Sequence, residues 1–241
     1  KFRNIVKTLP EFKSVYRKLN DQFERDDFVI PELKKLKKGS LILDAGCGSQ
    51  RYREYCAQLN YKTQDVGQYT TDLKKMIGSD GVGGKEGYKF GPLDYVGDIW
   101  RIRENDNTFD AILCTEVFEH IPHPIKTLEE FGRLLKSGGK LILTAPSNCL
   151  RHMDPYYFYG GFSDRWYEKF LTENGFKIES IVAVGDYYSW LMVEMARTAM
   201  SHSIFAKIIL TPAFLYFYNK KKTQISIDTL CKGYHVVAIK K

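Results

Sequence analysis

The chain has 241 residues, 44% of them hydrophobic and 27% charged. That is enough to bury a core in one large domain or a domain with a cap. With no low-complexity tract and no repeat period, it excludes a disordered chain, a fibre and a solenoid. The net charge of +7 sits on the ends: residues 1–40 hold 11 Lys/Arg against 6 Asp/Glu, residues 201–241 hold 7 against 1, and the middle is acidic.

In chain order, residues 1–38 read as one or two basic helices with Phe12, Val15, Tyr16 and Leu19 at helical spacing. Leu41–Leu43 is a short apolar strand, followed by Asp44-Ala45-Gly46-Cys47-Gly48 and a helix over Tyr52–Leu59. Tyr61–Val66 is a second strand. Gly67–Pro92 carries seven glycines and reads as a long loop or lid. Leu93–Val96 is a third strand ending at Gly97-Asp98, and Phe109–Thr115 is a fully buried fourth. A helix with Leu128, Phe131, Leu134 and Leu135 stops at Ser137-Gly138-Gly139, before a fifth strand, Lys140–Ala145. A helix around Trp166–Asn174, a strand Phe176–Val184 and a last strand Tyr234–Ile239 complete the series. Alternating β and α elements predict an α/β fold: a mostly parallel, seven-stranded sheet with helices on both faces. The boundaries expected are 1–38 for an N-terminal helical segment, 39–186 with 226–241 for the sheet domain, and 187–225 for a helical insertion before the last strand.

In such a sheet, ligands bind beyond the carboxyl ends of the strands. Asp44-x-Gly46-x-Gly48 follows the first strand, where glycine lets the backbone turn sharply and approach a ligand. A dinucleotide fingerprint wants a third glycine at position 51, which is Arg51 here. Asp65 closes strand two, where a carboxylate accepts from ribose hydroxyls, and Asp98 closes strand three, within reach of an adenine amino group. The series LILDAGCGS, GDI, FDAILCTEVFEHIPHP and LLKSGGKLILTAPS resembles that of the class I methyltransferases dependent on S-adenosylmethionine (SAM), from Leu41 to Ser147. The resemblance implies a Rossmann-like fold, with Asp44, Gly46 and Gly48 lining the methionine part of SAM, Asp65 the ribose, and Asp98 with the Ile99 backbone the adenine. The next stretch, to about Phe176, together with the glycine loop, is similar to methyltransferases of bacterial surface-polysaccharide (capsule and O-antigen) clusters. That likeness implies O-methylation of a small polar or saccharide-linked acceptor, at a sugar hydroxyl or a phosphoryl-type oxygen. A lipid-linked quinone or nucleic-acid acceptor, and an inactive SAM-binding scaffold, stand as alternatives.

Methyl transfer needs an aligned acceptor and somewhere for its proton to go. Glu116, Glu119 and His120 stand at i, i+3 and i+4 after the fourth strand, on one face if that segment is a helical turn. His120 is then a general base, or the trio ligates a divalent ion such as Mg²⁺ or Mn²⁺. In the third reading Glu116 meets the cofactor, Glu119 caps or pairs, and His120 packs before Pro122. E-x-x-E-H at this place resembles a metal motif of some small-RNA and quinone O-methyltransferases. His152, after strand five, is a further ligand, the base, or polar surface. Arg151 is a candidate for an acceptor phosphate, and Tyr156, Tyr157, Tyr159 and Trp166 for stacking on the acceptor or for the core.

Five cysteines (Cys47, Cys56, Cys114, Cys149, Cys231) show no C-x-x-C spacing, and no leader is read at Lys1. The expectation is reduced thiols and a cytoplasmic location. The core lacks a basic module for nucleic acid, so no nucleic-acid partner is expected. Within 187–225, Trp190–Val193, Phe205–Leu210 and Phe214–Tyr218 are apolar runs, the last followed by Lys220–Lys222. They suit peripheral membrane contact, a homodimer interface, or a cap packed on the same chain.

Overall fold

The structure, a computed structural model, describes residues 10–67, 91–153, 155–201 and 204–241. The expected glycine-rich lid falls, from residue 68 to 90, outside the described residues. Seven strands form one sheet: β1 (Leu41–Ala45), β2 (Asn60–Asp65), β3 (Tyr95–Val96), β4 (Phe109–Thr115), β5 (Leu135–Pro146), β6 (Phe176–Val184) and β7 (Gly233–Lys240), in the order β3-β2-β1-β4-β5-β7-β6. The pairs β1/β2, β1/β4, β2/β3 and β4/β5 are parallel. From β1 the chain proceeds outward to β3, then returns to lay β4 on the other side of β1. This reversal opens a crevice at the carboxyl ends of β1 and β4.

The central strands read as apolar runs because both faces are covered. Their alternation divides the core in two. Leu43, Ile112, Cys114, Leu141 and Leu143 face one cluster with Leu128, Phe131 and Leu134 of α3 (Pro124–Leu134) and Tyr167 and Leu171 of α4 (Asp164–Glu173). Ile42, Ala111, Leu113 and Ile142 face the other, with Val29 and Leu33 of α2 (Gln22–Lys34) and with Tyr52, Cys56 and Leu59. Helix α3 starts on Pro124, whose fixed φ suits a first helical position. Helix α4 starts at Asp164, where the Ser163 side chain accepts from Trp166 N.

Three expectations change. The helix over Tyr52–Leu59 is a single 3₁₀ turn, Arg53–Cys56. Gln50, with φ of +59°, interrupts any helical start, and its side chain is tied to the Pro92 carbonyl at 2.8 Å. Strand three shrinks to Tyr95–Val96. Ser137-Gly138-Gly139 is not a stop after a helix through Leu135: α3 ends at Leu134, and Leu135 already pairs with Phe109. The register shift between Phe109 and Ala111 absorbs the glycine pair as a bulge, Gly138 taking φ of +77°.

The chain divides into two compact units: residues 28–182 with 234–241, and residues 1–27 with 183–233. The second contains α1 (Pro10–Leu19), α5 (Tyr187–Ser201), α6 (Ile204–Tyr218) and α7 (Gln224–Thr229). In it the rings of Tyr188 and Phe217 stack at 5.9 Å. Lys18 and Ser14 of α1 reach Tyr218, the lysine 3.9 Å above its ring and the serine hydroxyl 3.1 Å from its phenol oxygen. The buried Asp186 accepts from Ser226 Oγ at 2.7 Å and from Ser189 N at 3.0 Å.

Candidate active site

On the β1 side, the turn Gly46-Cys47-Gly48 spends its backbone donors on β2. Gly46 N donates to the Gln64 carbonyl at 2.9 Å and its Oε1 at 3.1 Å; Cys47 N donates to the same carbonyl at 3.0 Å, and Gly48 N to Asp65 Oδ2 at 2.9 Å. Gly46 has φ of +70°, and a Cβ there would lie 2.5 Å from Val117 Cγ2. Glycine is therefore required twice over, by conformation and by the approach of the segment after β4.

Asp44 is 3% exposed and accepts from the Tyr61 hydroxyl. Burial, reinforced by nearby Asp65, raises its pKa to about 7 against the opposing Tyr61 bond and Arg53. Burial also raises the carboxyl of Asp65, against bonds from Gly48 N and from Gly67 N at 3.1 Å. Asp98 is exposed and Ile99 buried at the tip after β3. This rim is acidic and its turn amides are already engaged, so it is not a pyrophosphate cradle.

On the β4 side the segment is no regular helical turn. Glu116 has φ of +52°, its N donates to the Thr144 carbonyl, and Oε1 accepts from Thr144 Oγ1 at 2.8 Å. The 3₁₀ turn Phe118–His120 follows. The expected i, i+3, i+4 face of Glu116, Glu119 and His120 is thereby corrected. Glu116 turns to β5, and the ligand atoms that converge, all within 4.8 Å of one another, belong to Glu119, His120 and His152.

The loop after β5 completes this cluster. Phe158 N and Tyr159 N donate to the Glu119 carbonyl at 2.9 and 3.2 Å, and the Tyr159 hydroxyl to the Pro122 carbonyl at 3.2 Å. His120 Nδ1 lies 2.6 Å from the Tyr156 carbonyl, and His152 Nδ1 lies 2.8 Å from the Leu150 carbonyl. A carbonyl only accepts, so both Nδ1 atoms carry protons. In a neutral imidazole the lone pair then falls on Nε2. His120 Nε2 is 3.6 Å from Glu119 Oε1, and the two imidazoles meet edge to face at 4.7 Å. Burial, with His152 adding to it, lowers the His120 pKa to about 4, so the ring is neutral at pH 7.

Of the aromatic candidates, the Tyr157 ring lies 5.7 Å from His152, and its hydroxyl donates to the Cys149 carbonyl at 2.8 Å. Tyr156 contributes its carbonyl to His120, Tyr159 is exposed beside Phe162, and Arg151 is exposed. Trp166 is half-buried against the core, the second of its two readings: it packs on Phe118, Phe162, Tyr167 and Phe170. Sequence reading did not single out Gln64, Tyr61 or Val117. The first two are polar residues of β2, the strand beside the turn, which is the one signal that marks them.

Residues 43–143 match the family model described as a methyltransferase domain. A ubiquinone biosynthesis O-methyltransferase of Xanthomonas oryzae is 31% identical over 106 residues, 44% of this chain and 43% of that protein. The chain spans about half the length, or less, of the curated relatives it matches. Among solved structures, phosphoethanolamine N-methyltransferase 2 of Haemonchus contortus, with SAM bound, superposes with a TM-score of 0.55 at 15% identity, over 100% of this chain and 60% of that one. The [4+2]-cyclase SpnF superposes with a TM-score of 0.54 at 19% identity, over 90% and 80%. The fold is the Rossmann-like one of these methyltransferases; it also carries a cyclase, so the reaction has to be argued from the site.

Proposed function

We propose that this chain, which carries a methyltransferase domain over residues 43–143, is a SAM-dependent O-methyltransferase. The observation that carries the cofactor is the acidic β1–β2 rim with its turn amides engaged by Gln64 and Asp65. Such a rim suits a cationic ligand without a pyrophosphate. Asp44 and the glycine turn would hold the methionine end, Asp65 the ribose through the lone pairs left on its oxygens, and Asp98 with Ile99 the adenine. Bound there, SAM supplies a methyl group on a sulfonium, and the protein has to align an acceptor oxygen with it.

Glu119, His120 and His152 fit a divalent cation: two imidazoles with backbone-anchored Nδ1–H groups and one carboxylate are a ligand set with its tautomers already fixed. Such a set favours Mn²⁺ or a similar ion over Mg²⁺, and the ion would supply charge shielding for the acceptor oxygen. His120, with its depressed basicity, is better suited to a ligand than to a proton acceptor. The loop bearing Arg151, Tyr157 and Tyr159 would receive the acceptor, a saccharide-linked hydroxyl or phosphoryl-type oxygen of surface-polysaccharide synthesis. The O-methyltransferase relative supports oxygen as the atom methylated.

Calorimetry is expected to show SAM and its demethylated product binding, and NAD not. Failure of both adenosyl ligands at millimolar concentration overturns the cofactor reading. Methyl transfer across nucleotide sugars, phosphorylated saccharides, lipid-linked glycans and quinols then ranks the acceptors, and turnover of quinols alone removes the saccharide.

A further inference from the structure

Helix α6, IFAKIILTPAFLYFY, is apolar on nearly every side, yet none of its residues is buried. A helix of that composition belongs in a core or in lipid. Part of its surface is covered within its own unit, where Phe217 stacks on Tyr188 of α5. The opposite side is not: Phe205 is 71% exposed, Ile208 61%, Ile209 72%, Leu215 52% and Tyr216 59%. With Pro212, which is also exposed, they recur every three to four residues, so they form one stripe.

The stretch of sequence that carries the stripe has charge of one sign. From residue 195 to 227 the sequence holds Arg197, Lys207, Lys220, Lys221 and Lys222 and no Asp or Glu. Lys220 to Lys222, all exposed, follow the helix directly, and the Lys220 ammonium sits 4.5 Å over the Tyr216 ring. Lys18 of α1 joins the same end, bonding to the Tyr218 carbonyl at 3.1 Å. At 15 residues, α6 is roughly 22 Å long, short of the roughly 30 Å hydrocarbon core. Among the described residues no helix is long and apolar enough to cross a membrane.

We propose that α6 lies in the interface of an anionic lipid membrane, its stripe of Phe205, Ile208, Ile209, Leu215 and Tyr216 among the acyl chains and its lysine cluster on the headgroups. A protein partner would need acidic groups opposite four lysines around an apolar stripe; an anionic bilayer offers both at once. The inference is independent of the cofactor reading.

Co-sedimentation of the whole chain with phosphatidylcholine vesicles, with and without phosphatidylglycerol, tests it, alongside light scattering for the oligomeric state. Binding is expected to require phosphatidylglycerol and to weaken with salt. Changing Lys220, Lys221 and Lys222 to Gln should cost on the order of 100-fold in partitioning. The double variant Phe205→Asp and Ile209→Asp should abolish binding while melting like the wild type, since both side chains are exposed. Binding that ignores lipid charge, or survives either set of changes, overturns the proposal. So does failure to bind vesicles by a wild type that is dimeric through a contact the double variant breaks.

Discussion

At the carboxyl end of β1 the polar groups are satisfied by the adjacent strand; at the carboxyl end of β4 Glu119 and His120 are satisfied from 36 to 40 residues away. Gly46, Cys47 and Gly48 hand their amides to Gln64 and Asp65 of β2. Glu119 and His120 are instead held by the loop after β5, through the carbonyl of Tyr156 and the amides of Phe158 and Tyr159. The first rim is a rigid product of strand pairing, suited to a ligand common to a whole fold. The second is assembled by a loop, where acceptors are chosen. Changes on the second rim should therefore remove turnover and leave SAM affinity intact, and changes on the first should weaken SAM affinity, with turnover recovered at saturating SAM.

The largest effect is expected at Glu119. Replacing it with Gln keeps the shape and removes the charge among three buried or half-buried groups. Methyl transfer should fall about 100-fold or more, and added Mn²⁺ should no longer restore chelated enzyme. SAM affinity measured by calorimetry should stay within about twofold of wild type. An equal loss of SAM binding would mean that the two rims are not separable.

Gly46→Val comes next and attacks the point where the rims touch. Its φ of +70° disfavours a β-branched residue, and the first added carbon meets Val117 at 2.5 Å. Strain of this kind costs about 1–3 kcal/mol, so melting should move down by several degrees and SAM affinity should drop at least tenfold. Gly39, with φ of +83° but open space around it, is the control: the same substitution there should cost stability and leave SAM binding alone.

This division also explains what could be read from the sequence. The strands were legible because both of their faces are covered, so Leu41–Leu43, Phe109–Thr115 and Lys140–Ala145 appear as apolar runs. Asp44, Gly46, Gly48 and Asp65 were legible because strand ends and glycines mark them. Of the expected ligand set, Glu119, His120 and His152 come together and Glu116 does not. Spacing put Glu116 with Glu119 and His120, and the +52° φ of Glu116 undid that. Left-handed backbone at a glutamate has no sequence signature; it depends on the Thr144 contacts from β5. Trp166 was ambiguous for a related reason. An aromatic residue has the same pattern whether it stacks on a ligand or, as here, fills space against Phe118 and Phe162.

A smaller and more specific effect concerns Asp44, whose pKa near 7 in the free protein follows chiefly from burial. A cationic ligand beside it favours the carboxylate, so below pH 7 binding must expel a proton. SAM affinity should then be flat above pH 7 and fall toward tenfold per unit below it. Asp44→Asn should bind more weakly at pH 8 and lose the pH dependence. A wild-type profile that is flat from pH 5.5 to 8 would remove Asp44 from the methionine end.

The smallest effect tests the neighbour that sets this titration. Tyr61 donates its hydroxyl to Asp44, and burial beside that carboxylate holds the phenol far above its ordinary pKa, so it remains a donor throughout the accessible range. Hydrogen bonds to a charged group contribute about 1.5–3 kcal/mol. Tyr61→Phe should therefore destabilise the ionised form and move the midpoint of the SAM profile upward by on the order of one pH unit, with the high-pH affinity and the response to Mn²⁺ unchanged. Because Tyr61 stands on β2 and bonds to Asp44 of β1, the shift separates an electrostatic role from a structural one. A merely structural contact would lower affinity equally at every pH, whereas a moved midpoint at constant plateau assigns the charge of Asp44 to the binding of the cation.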